Sequence, residues 1–349
     1  MRSANPLALL QSRPLSLLCD KIVLLKLDAL QPPGSFKIRG IGAVCEQYAR
    51  QGKTRFVSSS GGNAGIAAAY AGRQLRIPVA VVVPETTTAR AKALIEQEGG
   101  TVVVHGASWL EANALAKSML DPATGFVHPF DDPLMWAGHA TLIDEVARAN
   151  TGFDGVILSV GGGGLLSGVV EGLRRNGLEE IPVLAVETEG ADSLARSVKG
   201  GHRIGLDAIT SVATSLGAKV VCENAFEVTK TYDVRCAVVS DFEALDACEK
   251  FARDHRILVE PACGAPLAAI YNKRPDLLAG IEAPLVIVCG GATATQQQIR
   301  EWRENAAPSD SWSGLKAERQ SFSRSLPSDK SSSSTASSLG LGRRLAATP

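Results

Sequence analysis

Short apolar runs alternate with apolar residues at helical spacing along most of the chain. In the first part, strands are predicted at 55–58, 78–83 and 101–104, and helices at 38–51, 66–75, 88–98 and 108–119. In the second part, strands are predicted at 155–160, 182–187 and 285–289, and helices at 141–149, 165–175, 193–199, 242–254 and 262–271. This alternation indicates βαβ units, which form parallel sheets covered by helices on both faces.

Two further segments complete the predicted organisation of the chain. An extended apolar run at 22–27 precedes the first series of elements, and we expect it to join the sheet of the second series. Residues 308–349 are rich in serine and include four consecutive serines at 331–334. The few apolar side chains of this segment cannot offset the conformational entropy that the chain would lose on ordering. We therefore predict a disordered tail at 306–349.

Composition and charge exclude several classes of function. The 349 residues carry 36 basic and 36 acidic side chains, so no net charge favours nucleic acid or an anionic membrane as partner. The seven cysteines form no C-x-x-C pair and the five histidines no H-x-x-x-H pair, which argues against a zinc site. We expect reduced thiols in a cytoplasmic protein with neither a signal peptide nor a membrane span.

A lysine lies just after a Pro-Pro-Gly turn, at the predicted start of a helix. Lys37 stands between Phe36 and Ile38, where backbone N–H groups and the helix dipole disfavour a positive charge. A lysine amine with a lowered pKa is what Schiff-base chemistry requires. The alternative is an ordinary surface lysine beside a turn.

A run of four glycines, Gly161–Gly164, lies between a predicted buried strand and a helix. Glycines let backbone N–H groups approach an anion closely, and the helix start favours negative charge. The spacing does not match G-x-G-x-x-G, and no lysine followed by Ser or Thr completes a nucleotide-binding loop. A single phosphate is therefore the predicted ligand, with a purely structural turn as the alternative.

Two more loops carry candidate chemistry. The small residues at 58–65 can hold a carboxylate through hydroxyl and N–H groups, with Asn63 as a polar handle, or can simply cap a helix. Cys289 ends a predicted buried strand next to two glycines. A buried structural thiol is the alternative for this cysteine.

Together these segments resemble the fold-type II pyridoxal-phosphate enzymes, in the serine dehydratase/threonine deaminase branch, from about residue 13 to 304. Six blocks occur in the order typical of the family: Gly34–Gly40, Ser59–Gly65, Pro129–Asp132, Ser159–Leu166, Glu260–Gly264 and Val286–Gly291. The resemblance implies an α/β fold of two open, parallel or mixed sheets with pyridoxal 5'-phosphate in the cleft between two domains. It places the large domain at 1–39 and 130–305 and the small domain at 40–129.

The resemblance also implies roles for individual residues. Lys37 would hold the cofactor aldehyde as a Schiff base and, once released, act on the substrate Cα proton. Phe36 would stack on one ring face, with a residue near Ser215 on the other, and Cys289 would face the pyridine nitrogen. Asn63 would hydrogen-bond the ring hydroxyl. The phosphate would be bound by Gly161, Gly162, Gly163, Gly164 and Leu165, and the substrate carboxylate by Ser60, Gly61, Asn63 and Ala64.

A cation site is implied in the same way. Judged from its position in the sequence, Glu187 could be the acidic residue after the second strand of a nucleotide-binding fold. By resemblance it is instead a ligand of a cation, for which potassium is favoured over magnesium. The other ligands would be Ser193 and the backbone carbonyls of Gly161, Ala191, Leu216 and Ala218, which are oxygen ligands suited to a hard cation.

The chain departs from the family pattern at position 61. Racemases of this fold carry a serine there, which serves as the base on the opposite ring face, and many dehydratases carry alanine. Gly61 offers no hydroxyl, so we expect poor racemisation. We also expect the missing side chain to enlarge the site and to lower turnover.

The resemblance predicts a homodimeric L-serine and L-threonine ammonia-lyase that forms pyruvate or 2-oxobutanoate and ammonia. Two alternatives remain open from the sequence. One is a β-replacement enzyme that makes cysteine or cystathionine. The other is a cofactor-binding regulatory protein with little turnover, which Gly61 and the altered N-terminal segment Ser12–Leu15 would suit.

Overall fold

The computed structural model describes residues 9–273 and 276–307, so the serine-rich segment from 308 onward lies outside the described residues. The strands in these ranges are β1 (Leu9–Gln11), β2 (Leu24–Lys26), β3 (Arg55–Ser58), β4 (Val79–Val83), β5 (Thr101–Val104), β6 (Thr124–Val127), β7 (Gly155–Ser159), β8 (Val183–Thr188), β9 (Val234–Val239) and β10 (Pro284–Ile287). They form two sheets.

Helices separate most of these strands along the chain. They are α1 (Arg13–Cys19), α2 (Lys37–Arg50), α3 (Asn63–Leu75), α4 (Ala89–Gln97), α5 (Trp109–Ser118), α6 (Pro133–Ala149), α7 (Gly164–Arg175), α8 (Ser193–Gly200), α9 (Glu223–Thr231), α10 (Asp241–His255), α11 (Pro261–Tyr271) and α12 (Gln296–Ala306). Within the described ranges, none of them is both long and apolar enough to cross a lipid bilayer.

The larger sheet has six strands in the order β1-β2-β10-β7-β8-β9. All neighbours are parallel except β1, which pairs antiparallel with β2 at the edge. Strand β2 thus lies beside β10 from the far end of the chain, as predicted for the apolar run before Lys37. The buried Val, Leu and Ile of these strands form one core with the helices around them.

The smaller sheet has four parallel strands in the order β5-β4-β3-β6. Helix α2 packs its apolar face, including Ile38, Ile41 and Val44, into the core of this sheet. Helix α6 reaches both cores, because Met135 near its start lies in the smaller one and Leu142 in the larger one. The segment that begins at Lys37 therefore passes from one sheet to the core of the other.

The predicted strands at 55–58 and 101–104 have the observed bounds, and most other predicted elements differ at their ends by one to three residues. The prediction for α6 was wrong at its start, which lies at Pro133 instead of Thr141. Asp132 accepts a hydrogen bond from the N–H of Leu134 and caps the helix, and proline suits the first helical turn. The sequence reading missed β1, α1, β6, α9, β9 and α12.

Candidate functional site

The segment before Lys37 is bound to the segment that contains Cys289. The backbone N–H of Phe36 donates to the carbonyl of Cys289 at 3.0 Å, and the N–H of Gly291 donates to the carbonyl of Gly34 at 2.8 Å. Gly291 has a φ of +124° and a Cβ there would lie 2.0 Å from Cδ of Glu260. Only glycine fits this crossing, which joins the start of α2 to the end of β10.

Lys37 is the first residue of α2, and its Nζ donates to the carbonyl of Pro129 at 2.7 Å. Burial lowers the pKa of Lys37 from 10.5 to about 8, although the nearby Cys289 and Glu260 act in the opposite direction. Part of the side chain nevertheless stays accessible. The lowered pKa was predicted from the helix start, but burial is its main cause, and an ordinary surface lysine does not fit this environment.

The lowered pKa predicts the pH dependence of cofactor loading. Only the neutral amine attacks an aldehyde, and with a pKa of about 8 roughly a tenth of Lys37 is neutral at about pH 7. We expect the rate at which apo-protein binds pyridoxal phosphate, followed by visible absorbance, to rise with pH and to level off above about 8. A rate that still climbs tenfold per unit towards pH 10.5 would show an ordinary lysine.

Phe36, the predicted ring-stacking residue, packs against a histidine that the sequence reading did not select. The Phe36 and His139 ring centroids are 4.9 Å apart. His139 is fully buried, and neither ring nitrogen has a hydrogen-bond partner among the described residues. Burial lowers the pKa of His139 well below 6.5, so the imidazole behind Phe36 is neutral.

Asn63 links the smaller sheet to the larger one. Its Nδ2 donates to Oε1 of Glu260 at 2.6 Å and lies 3.3 Å from Oγ of Ser215, while its Oδ1 accepts the N–H of Ala292 at 3.0 Å. Glu260 also accepts from Oγ1 of Thr293 at 2.8 Å, and burial raises the pKa of its carboxyl. No role was predicted for Glu260, although an acidic residue before a proline at a helix start was a usable signal.

The glycine run forms a tight connection between β7 and α7. A Cβ at Gly162 would lie 2.2 Å from the Phe130 ring, and a Cβ at Gly164 would lie 2.5 Å from the Phe130 carbonyl oxygen. Gly163 has a φ of +91° and would meet Ala225 at 2.4 Å. Protein atoms thus occupy the space that side chains would need, and this packing explains why the run is all glycine.

The same run satisfies the requirements of a phosphate site. The backbone N–H groups from Gly162 to Leu165 donate to no other group within the described part of the chain. Four such donors at the start of a helix of 12 residues favour an anion electrostatically. The residues therefore fit the phosphate of the implied cofactor.

Cys289 lies just after β10, 4% exposed, with its Sγ 3.4 Å from Oγ of Ser159. Cys263 lies next to it, and burial together with the hydrogen bond to Cys289 raises the pKa of the Cys263 thiol. The two hydrogen-bond partners of the Cys289 thiol, the Ser159 hydroxyl and the Cys263 thiol, are thus both uncharged groups. This environment suits a weakly polar contact with a ring nitrogen.

The predicted carboxylate loop lies between β3 and α3. Ser60 and Gly61 precede the helix, Asn63 begins it, and Ala64 is buried in its first turn. The expectation that Gly61 leaves the site enlarged was wrong. A Cβ at Gly61 would lie 2.5 Å from Oγ1 and 2.7 Å from Cγ2 of Thr87, so a threonine from the next strand–helix connection fills this space.

The predicted cation ligands are of two kinds, the side chains of Glu187 and Ser193 and a set of backbone carbonyls. Glu187 is the last residue but one of β8, and its two carboxylate oxygens accept the N–H groups of Leu194 and Ala195 at 2.9 and 2.7 Å. Burial raises the pKa of Glu187 to about 8. Ser193 is fully buried and its Oγ has no partner in the described residues.

The backbone carbonyls complete the predicted set. Gly161 lies against Leu216, since a Cβ there would be 2.9 Å from the Leu216 Cα. Ala191 pairs with Thr188 at the end of β8, and the N–H of Ala218 donates to the Leu216 carbonyl. Because no group of three or more His, Cys, Asp or Glu residues in the described ranges could hold a metal, a cation here would depend on carbonyl and hydroxyl oxygens.

Comparison with known proteins places this site in context. A family model described as pyridoxal-phosphate dependent enzyme matches residues 3–290. The chain is 46% identical over 318 residues to L-serine dehydratase/L-threonine deaminase of Homo sapiens. This alignment covers 87% of this chain and 97% of the human protein. It is also 46% identical to serine dehydratase-like of Mus musculus, with 84% and 92% covered. The solved structure of an L-serine ammonia-lyase from Rhizomucor miehei superposes with a TM-score of 0.83 at 32% identity, covering 88% of this chain and all of the other.

Proposed function

Because the chain belongs to the pyridoxal-phosphate dependent enzyme family, we propose that it is an L-serine ammonia-lyase that also accepts L-threonine. The observation that carries the proposal is the environment of Lys37. Its amine, with a pKa of about 8, lies in the segment that joins the end of β10 to the start of α2. The expected products are pyruvate from serine, 2-oxobutanoate from threonine, and ammonia from both.

The bound cofactor supplies an electron sink that stabilises negative charge at the substrate Cα. The chain supplies the groups that hold it. Lys37 Nζ would hold the cofactor aldehyde and, once the substrate amine had taken its place, would serve as the base for the Cα proton. Phe36 would cover one ring face and Asn63 would hydrogen-bond the ring hydroxyl.

Two further groups set the orientation of the cofactor. The N–H groups of Gly161–Leu165 would bind the phosphate, and Cys289 would face the pyridine nitrogen. A thiol partner would leave this nitrogen unprotonated, and the cofactor would then be a weaker electron sink than with a carboxylate partner. Elimination of a β-hydroxyl would tolerate the weaker sink because the leaving group departs promptly.

The substrate carboxylate is held by the loop between β3 and α3. Ser60 offers a side-chain hydroxyl, and Gly61, Asn63 and Ala64 offer backbone N–H groups near the start of a helix of 13 residues. A carboxylate fixed there presents the Cα–H bond of an L-amino acid to Lys37. The arrangement selects α-amino acids over amines.

The proposal includes a monovalent cation, potassium, at Glu187. The support is a fully buried Ser193 hydroxyl without a hydrogen-bond partner among the described residues, beside a Glu187 carboxyl whose pKa burial raises to about 8. Gly161, Ala191, Leu216 and Ala218 contribute carbonyl oxygens. The cation ties the glycine run to the end of β8.

Removal of potassium tests the cation proposal. We expect the melting temperature in KCl to exceed that in choline chloride of equal ionic strength by about 3 °C or more, since a ligand that binds only the folded state stabilises it. In Glu187→Gln the two salts should give equal melting temperatures. Equal values in the unaltered protein would remove the cation from the proposal.

The proposal also keeps the predicted homodimer and the cytoplasmic location, which all seven unpaired cysteines suit. The division into a large domain at 1–39 and 130–305 and a small domain at 40–129 is part of the same proposal. It is supported by the two separate sheets.

The activity is tested with the purified protein, added pyridoxal phosphate and L-serine. We expect a visible absorbance band that changes on addition of serine, and pyruvate and ammonia in equal amounts. Incorporation of an added thiol without pyruvate would favour β-replacement. A band without either product would favour a regulatory protein.

A further inference from the structure

Thr87 occupies the space that a side chain at position 61 would need. A virtual Cβ on Gly61 lies 2.5 Å from Oγ1, 2.7 Å from Cγ2 and 3.2 Å from Cβ of Thr87. All three distances are shorter than an ordinary van der Waals contact. The Thr87 side chain therefore rests directly on the Gly61 backbone.

The sheet brings these two residues together. Strands β3 and β4 are parallel neighbours with Ser58 opposite Val81, so the loops after them lie side by side at one edge. Gly61 follows β3 and Thr87 follows β4. The Thr87 hydroxyl donates to no group among the described residues, and the side chain is partly exposed.

The backbone is held in place on both sides of this contact. The N–H of Thr87 donates to the Pro84 carbonyl at 3.0 Å, and the adjacent Thr88 caps α4. On the other side, a Cβ at Gly65 would lie only 2.0 Å from the Ser60 carbonyl oxygen, so the loop is closely packed on α3. We therefore expect a change of volume at either position to affect the other.

We propose that Thr87 is a specificity-determining residue of the amino-acid pocket, where it takes the place of a side chain at position 61. This inference rests on the proposed function, because it needs the loop at 60–64 to hold the substrate. Its methyl and hydroxyl groups limit the room beside the carboxylate loop. They favour serine over threonine, which carries one more methyl group.

Four proteins form the test: the unaltered chain, Gly61→Ala, Thr87→Ala and the double variant. We expect Gly61→Ala to lower the apo-protein melting temperature and kcat/KM for L-serine, the latter by about tenfold or more. Adding Thr87→Ala should restore most of both, because only the 3.2 Å contact with the residue 87 Cβ remains. Thr87→Ala alone should raise the ratio of kcat/KM for threonine over serine several-fold.

Thr86→Ala is the matched control, since Thr86 is an exposed threonine of the same turn. It should change neither the melting temperature nor the threonine-to-serine ratio. If the changes in melting temperature of the two single variants add up to that of the double variant, positions 61 and 87 are not in contact. Coupled melting temperatures with an unchanged threonine-to-serine ratio in Thr87→Ala would overturn the specificity role.

Binding of glycine and L-alanine separates this inference from the proposed function. Neither amino acid has a leaving group, so both report binding through the cofactor absorbance without elimination. If the protein forms no pyruvate but alanine affinity is still coupled between positions 61 and 87, the pocket assignment stands and the lyase assignment fails. If the protein forms pyruvate but alanine affinity is not coupled between positions 61 and 87, the lyase assignment stands and the pocket assignment fails.

Discussion

Replacement of Lys37 by alanine is expected to abolish pyruvate formation while leaving the fold intact. The variant loses both the amine that binds the aldehyde and the base that takes the Cα proton. General-base catalysis alone contributes about 10²–10⁴-fold, so kcat/KM for L-serine should fall by at least about 10³-fold. Pyruvate release measures turnover, and visible absorbance measures whether pyridoxal phosphate is still held.

Lys53→Ala provides the matched control. Lys53 also donates its Nζ to a proline carbonyl, that of Pro122 at 2.8 Å, but at an exposed position. It should keep full turnover. The melting temperature of Lys37→Ala should not fall, because removing a buried amine relieves desolvation. Unchanged pyruvate formation by Lys37→Ala would refute the proposed function.

The parts of the site that could be predicted are those with a local signature. Asn63, Gly161 and Cys289 each follow a buried strand, and a strand, a small-residue loop and a helix start are visible in the sequence. Because parallel strands end at one edge of their sheet, such loops gather around a ligand. The local pattern therefore indicated the chemistry before any contact was known.

The residues that were missed act through contacts between distant segments. Thr87 contacts Gly61 because β4 lies beside β3, His139 contacts Phe36 because α6 crosses behind it, and Glu260 binds Asn63 across 197 positions of the chain. Glu260 carries a local signal as an acidic residue before a proline at a helix start, but the pairings themselves leave no periodic or compositional trace. Predicting them requires the register of the strands and the packing of the helices.

The missed strands have an equally physical explanation. Strand β1 has three residues at a sheet edge, and β6 contains Gly125, so neither shows a strong apolar run. Strand β9 includes the charged Arg235 at the opposite edge of the larger sheet. Edge strands bury one side less completely, and their sequences are correspondingly less apolar.

A buried ionic network fixes the helix that carries Lys37. The guanidinium of Arg39 donates to both carboxylate oxygens of Asp28, at 2.5 and 3.1 Å, and to both of Glu145, at 2.8 Å each. Lys26 at the end of β2 donates to Glu145 at 2.5 Å. The network joins β2, α2 and α6, two residues beyond Lys37, so it aligns α2 with the larger sheet.

Arg39→Ala should therefore be one of the most destabilising single changes in the chain. The side chains of Arg39 and Asp28 are 1% and 0% exposed, and breaking a buried pair leaves an uncompensated charge that costs about 3–5 kcal/mol. Denaturant unfolding of the apo-protein measures the loss. Arg73→Ala, which removes a partly exposed pair with Glu98, should cost less than about 1 kcal/mol.

Arg39→Lys separates charge from geometry in the same network. A lysine keeps the positive charge but cannot form paired hydrogen bonds to two carboxylates. The stability of the Arg39→Lys protein should therefore lie between those of Arg39→Ala and the unaltered chain. Because α2 then tilts or shifts at its start, pyridoxal phosphate should also bind more weakly in both variants. If Arg39→Ala costs no more than Arg73→Ala, the network does not hold α2, and the position of Lys37 must depend on the segment from Gly34 to Phe36 and its bonds to Cys289 and Gly291.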